Sequence, residues 1–161
     1  RLVNYWLMKS EPANFGIDQL AKAPQRNAAW DGVRNYQSRN MLRDEFHRGD
    51  RAFFYHSSCE LPGIYGTMRI VRGGHPDPTA FDPRHRQYDA ASDSADPRWY
   101  QVKVQLLSRF AQPVTLEALR KHAEGPLRDL LVLRRGNRLS ITPVTADEWN
   151  FIHRLAATPP A

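Results

Sequence analysis

The sequence predicts an α+β fold built around a mixed, strongly bent sheet or small barrel. Short apolar runs of strand length are interleaved with short helix-compatible segments rather than grouped by type. No Gly-rich turn joins a strand to a helix, which argues against a doubly wound nucleotide fold. At 161 residues, 41% hydrophobic and 25% charged, the chain has the composition of one ordinary globular domain. That domain is expected to span residues 1–161 and to bury its core without disulfides or metals.

The elements follow in order. Asn4 to Lys9 is an aromatic-rich apolar run and reads as a first strand, ended by Pro12. Asp18 to Ala23 forms a short helix stopped before Pro24. A second helix runs from about Asn35 to Phe46, with Ser38, Met41, Leu42 and Phe46 facing inward. Tyr36, Arg39 and Arg43 form a flanking stripe at i, i+3 and i+7. Arg51 to Ser57 is a buried strand. Gly63 to Arg72 is another, with Ile64, Gly66, Met68 and Ile70 on one side, and Gly73-Gly74 should break it. His75 to Arg98 shows no period; so long a loop is either functional or disordered. Trp99 to Phe110 is a long strand. Thr115 caps a helix to about His122. Arg138 to Val144 is a last strand. Thr145 and Glu148 form a capping box for a final helix carrying Trp149, Ile152 and Leu155. The tail, Ala156 to Ala161, is expected to fray.

The net charge is +6, and of 23 basic residues only Lys9, Lys22, Lys103 and Lys121 are lysines. Arginine stacks on bases and grips phosphate with paired hydrogen bonds, so the excess suits nucleic acid; codon bias in a GC-rich genome would give the same excess. The lone cysteine, Cys59, excludes an internal disulfide and fits a reducing, cytoplasmic setting. No apolar run reaches the length of a membrane span and no signal peptide opens the chain, so no membrane partner is expected.

The most informative stretch is WDGVRNYQSRN, Trp30 to Asn40. Aromatic faces, amide edges and guanidinium groups set around the Gly32 turn suit a planar, hydrogen-bonding ligand such as a nucleobase. The same pattern also describes a buried Trp under a turn followed by an ordinary amphipathic helix. Tyr36 stands beside Asn35 and Gln37, Tyr55 near Ser57 and Ser58, and Trp30 beside Asp31, giving aromatic walls with polar floors. His75, His85 and the His56/Cys59 pair lack zinc-site spacing, so no metal and no cofactor are expected. His56, Ser57 and Cys59 do not form a triad, because neighbours on a strand point to opposite faces. Lys9 and Glu11, two apart, would face the same way and could form an acid–base pair or a surface ion contact.

Six blocks carry a resemblance: YWLMKSEP (Tyr5 to Pro12), WDGVRNYQSRN, GDRAFFYHS (Gly49 to Ser57), HPDPTAFDP (His75 to Pro83), PRWYQVKV (Pro97 to Val104) and RLSITPV (Arg138 to Val144). Their order and spacing resemble the EVE domain family over about residues 4–155, with Ser38 where the family commonly has Ala. The resemblance implies a PUA-like pseudo-barrel flanked by short helices. It also implies kinship with YTH domains and a reader of modified bases, chiefly cytosine in DNA, with base flipping. Without the basic tail of the eukaryotic proteins, the chain looks like the compact bacterial form. The base pocket it implies draws on Lys9, Ser10, Trp30, Asn35, Tyr36, Gln37, Tyr55, His56 and Ser57. In the resulting reading, Trp30 stacks on a base of DNA or RNA and Arg34, Arg39 and Arg43 hold phosphates, in a non-enzymatic monomer. The competing reading is a small amidohydrolase using Lys9 and Glu11, similar to ASCH relatives.

Overall fold

The computed structural model describes residues 2–158. In chain order its elements are β1 (Tyr5–Ser10), α1 (Ile17–Lys22), β2 (Asn27–Trp30), α2 (Tyr36–Asp44), β3 (Arg51–His56), β4 (Gly63–Pro76), β5 (Tyr100–Thr115), α3 (Leu116–Arg120), β6 (Ile141–Val144) and α4 (Ala146–Ala157). The strands form one six-stranded sheet in the order β2-β5-β4-β3-β1-β6. β1 pairs parallel to β3, and every other neighbouring pair is antiparallel. This is an α+β fold of the PUA-like kind.

The central strands read as continuous apolar runs because both of their faces are covered. Trp6 and Met8 of β1, with Ala52 and Phe54 of β3, enter one core together with Ile17, Leu20 and Leu42 from α1 and α2. Leu7, Phe53 and Tyr55 point the other way, into a second core closed by Leu119 of α3 and by Trp149 and Ile152 of α4. Alternation along a strand therefore assigns each residue to one core or the other. α2 buries Ser38, Met41 and Leu42 as its spacing predicts, and Asn35 caps it by accepting from the Ser38 N–H. The Thr145–Glu148 capping box opens α4. Of the tail, residues up to Thr158 complete and cap α4, and residues 159–161 lie outside the described region.

Three departures have physical reasons. First, Gly73-Gly74 does not end β4. The pair lets the strand slide beneath α2: a Cβ on Gly74 would lie 2.9 Å from the Arg43 Cα and closer still to the Leu42 carbonyl. β4 continues to Pro76 through bulges, paired there with Tyr100, while at its other end Gly63 pairs with Thr115 and carries β5 past Phe110. Second, β2 (NAAW) is too short and too rich in Ala to show a strand period; pairing with β5, Trp30 against Val102, creates it. Third, β6 begins at Ile141 rather than Arg138. The preceding backbone is spent on a turn, with Gly136 at φ +80° and Asn137 N–H donating to the Arg134 carbonyl.

The aperiodic stretch between β4 and β5 is ordered by its aspartates. Asp82, Asp89 and Asp93 each accept from the backbone N–H two residues on, the Asx-turn arrangement. Asp77 does the same for Thr79 and is itself fully buried.

Candidate functional site

A cavity of about 420 Å³ opens where β1 ends and β2 leaves the sheet. Its apolar side is Trp30, Phe15 and Val33; its polar side includes Ser10, Asn14, Asp31 and Gln87. Trp30 is held by Phe54 at 5.3 Å and Phe15 at 6.4 Å between ring centroids, both edge-on. With only 6% of its surface exposed, Trp30 is at once a core residue and a cavity wall.

The turn after Trp30 is fixed by charge. Asp77 Oδ2 accepts from the Gly32 N–H at 2.9 Å and from Arg34 Nη1 at 3.0 Å. Arg34 also donates to the Gln87 carbonyl at 2.7 Å, which brings the loop residues His85 to Gln87 to the cavity rim. Burial alone would push the Asp77 carboxyl up; hydrogen bonds from Thr79, Gly32 and Arg34 outweigh it and hold it below its usual range. Gly32 adopts φ +75°, and a Cβ there would meet the Gln87 carboxamide at 3.1 Å. Glycine is therefore required both by the backbone and by the amide lying against it.

Two polar groups at this rim remain available. Among the described residues the Gln87 carboxamide makes no hydrogen bond and Asp31 forms no ion pair. The Asp31 carboxyl is pushed up, first by desolvation at the mouth and then by the nearby Asp77 charge. An amide beside a carboxylate offers one donor and two kinds of acceptor, which complements a base edge.

The structure brings Lys9, Ser10, Trp30 and Arg34 to the cavity and sends the other expected residues elsewhere. Lys9 borders it, but its ammonium lies 6.0 Å from the Tyr55 ring, and desolvation lowers its pKa. Ser10 Oγ already donates to the Phe15 carbonyl at 2.6 Å. Tyr55 packs in the second core, where burial pushes its phenol up to about 12. His56 accepts from the Ile17 N–H through Nε2 and stacks on Tyr65, and desolvation lowers its pKa. Ser57 continues past β3, its N–H bound to the Ser10 carbonyl. Asn35 is spent as the α2 cap, and Gln37 is exposed.

Tyr36 stacks on Trp99 at 4.9 Å and shares a separate surface furrow with Arg39, Arg43 and Arg98. Arg34 is a half-buried fastener bound to the buried Asp77, Arg39 donates to the Arg98 carbonyl, and Arg43 is paired with Asp44. Glu11 is exposed and accepts from Asn14 Nδ2, and no described ion pair joins it to Lys9. Gln87 escaped sequence reading because it lay in the loop without period; Asp31 was marked only as the polar neighbour of Trp30.

Comparison with known proteins gives a consistent answer. The EVE domain family model matches residues 4–155. Mouse thymocyte nuclear protein 1 is 42% identical over 175 aligned residues, covering 99% of this chain and 76% of that protein. The crystal structure of human THYN1 in complex with 5-methylcytosine-containing DNA superposes with a TM-score of 0.92 at 38% identity, covering 98% of this chain and 99% of that one. A Pseudomonas putida protein superposes at 0.89 with 45% identity, covering 94% and 99%. The chain belongs to the EVE domain family.

Proposed function

We propose that this protein binds a modified nucleobase, a cytosine bearing a substituent at the 5-position, that has been rotated out of a DNA duplex. The observation that carries the reading is the cavity itself: about 420 Å³, walled by Trp30 and Phe15, with Asp31 and Gln87 available at its rim. That volume falls in the usual range of roughly 300–1,000 Å³ for small-ligand sites. The relative solved with 5-methylcytosine-containing DNA supports the choice of base and nucleic acid.

The chemistry follows from the edge of cytosine, which presents an amino donor beside a ring-nitrogen acceptor and a carbonyl acceptor. Gln87 answers the first two with its carbonyl and amide groups, and Asp31 accepts from the exocyclic amine. A thymine edge reverses the pattern and would leave Asp31 facing a carbonyl. Rotating a base out of the stack costs a few kcal/mol, returned by contact with the aromatic wall and by these hydrogen bonds. No step of covalent chemistry is assigned: a hydrolase reading needs Lys9 beside a carboxylate, whereas its ammonium turns towards Tyr55.

The test is a titration of matched duplexes, plain and 5-methylated, with wild type, Gln87→Ala and Asp31→Ala. One lost bidentate base contact is worth about 1–3 kcal/mol, or about 5- to 150-fold. The expected result is a preference of wild type for the methylated duplex, with affinity for that duplex reduced by about that order in either variant. Equal binding of both duplexes by wild type would end the reading. Conversion of a modified nucleoside on long incubation would move the protein into the hydrolase class.

A further inference from the structure

Phosphates flanking the bound base require free cations, and the three arginines that the helix stripe and the Gly32 turn suggest are not free. Arg34 is fastened to Asp77, Thr79 and Gln87, and Arg43 to Asp44. The furrow holding Arg39 and Arg43 also carries Asp93 and Asp96.

The segment that leads to Ser140 in the cavity wall differs. Residues 128–140 read RDLLVLRRGNRLS, four arginines against one aspartate. Arg134, Arg135 and Arg138 are exposed. Arg134 approaches Asp129 only at 3.9 Å, with both side chains largely in water. Among the described residues neither Arg135 nor Arg138 forms an ion pair.

This segment is built rather than loose. Asn137 ties it at both ends: its Nδ2 donates to the Leu131 carbonyl at 2.7 Å and its Oδ1 accepts from the Leu139 N–H at 3.1 Å. Gly136, at φ +80°, makes the sharp turn that puts Arg135 at the tip. Leu139 packs against the first core, and Ser140 lines the cavity while its carbonyl accepts from the Lys9 N–H at 2.8 Å. The cations are therefore attached, through a short and anchored stretch, to the wall of the site.

We infer that the turn 134–138 is the phosphate contact of this protein, with Arg135 and Arg138 holding the sugar–phosphate backbone next to the nucleotide whose base occupies the cavity. The inference rests on the nucleobase reading of that cavity and assigns its backbone partner. Unpaired guanidinium groups on an anchored turn meet a phosphodiester without first breaking an internal ion pair.

The experiment is a salt titration of affinity for plain and 5-methylated duplexes, using wild type, Arg135→Ala/Arg138→Ala and Arg39→Ala/Arg43→Ala. Each neutralised phosphate contributes about 0.9 to the slope of log affinity against log salt. Loss of Arg135 and Arg138 is expected to make the slope shallower by about 1.8. Between about 50 and 200 mM salt, wild type then loses about 12-fold more affinity than this variant. The ratio of methylated to plain binding is expected to stay as in wild type, and Arg135→Lys/Arg138→Lys to restore most of the slope. An unchanged slope in the 135/138 variant overturns the inference, as does a slope that vanishes instead with Arg39 and Arg43. A wild type that shows the slope but no preference for the methylated duplex defeats the base reading alone.

Discussion

Replacing Asp77 with Asn tests how the site is held together. Asparagine keeps the side-chain volume, so no void forms and the effect is electrostatic. Asp77 is fully buried and each carboxylate oxygen serves two donors: Oδ1 takes the Thr79 N–H at 2.9 Å and its hydroxyl at 2.6 Å, and Oδ2 takes the Gly32 N–H and Arg34. Asparagine has one oxygen, so whichever pair faces its NH₂ group loses both acceptors. Two unsatisfied buried donors cost about 1–3 kcal/mol each. Breaking a buried ion pair by removing one partner costs about 3–5 kcal/mol. Arg34 keeps its bond to the Gln87 carbonyl, and its side chain is 22% exposed. The lower part of the range therefore applies, about 2–4 kcal/mol. For a domain of this size that lowers Tm by about 5–15 °C. Thermal and urea denaturation measure it, and limited proteolysis across residues 78–98 reports whether the loop carrying His85 to Gln87 has come loose. A loss below about 1 kcal/mol with unchanged cleavage would refute the claim that Asp77 organises the rim.

Ser38→Ala should stabilise the protein by about 1 kcal/mol in urea denaturation, because the buried Ser38 hydroxyl has no hydrogen-bond partner among the described residues and the capping bond uses only its main-chain N–H. Gly74→Ala should destabilise by roughly 1–3 kcal/mol, since its Cβ would drive into the α2 backbone at Leu42 and Arg43; a neutral result by the same measurement would show that α2 moves freely. His56 has its pKa lowered from 6.5 by burial and accepts from Ile17 as a neutral ring. The unfolded chain thus binds the extra proton first, and the contribution of His56 is complete above about pH 6.5 and is lost as pH falls through the lowered value. Urea midpoints between pH 7 and 5 should fall for wild type and fall less for His56→Gln.

The frame of this protein was legible in its sequence because its signals are local. The inner face of α2, the Thr145–Glu148 box and the buried runs of β1 and β3 are all set by neighbours a few residues apart. The position of Tyr55 was not legible, because it depends on which of two cores a strand residue faces, and both faces of β3 are apolar. The partners of the arginines were not legible for a related reason: composition counts charges, whereas availability depends on partners far away in sequence, as Arg34 and Asp77 are. Gln87 becomes visible only when the Asp77–Arg34 contact folds its loop onto Gly32.

The central claim is that a modified base leaves the duplex and enters the cavity beside Trp30. Its most direct measurement places a fluorescent adenine analogue next to a 5-methylcytosine in a duplex and follows emission during titration with the protein. Stacked in the duplex the analogue is quenched, and loss of its neighbour relieves the quenching. The account predicts a saturable rise with wild type on the methylated duplex, and little rise on the plain one or with Gln87→Ala at equal occupancy. Tight, saturated binding of the methylated duplex with no change in emission would mean that the base stays stacked, and would contradict the account.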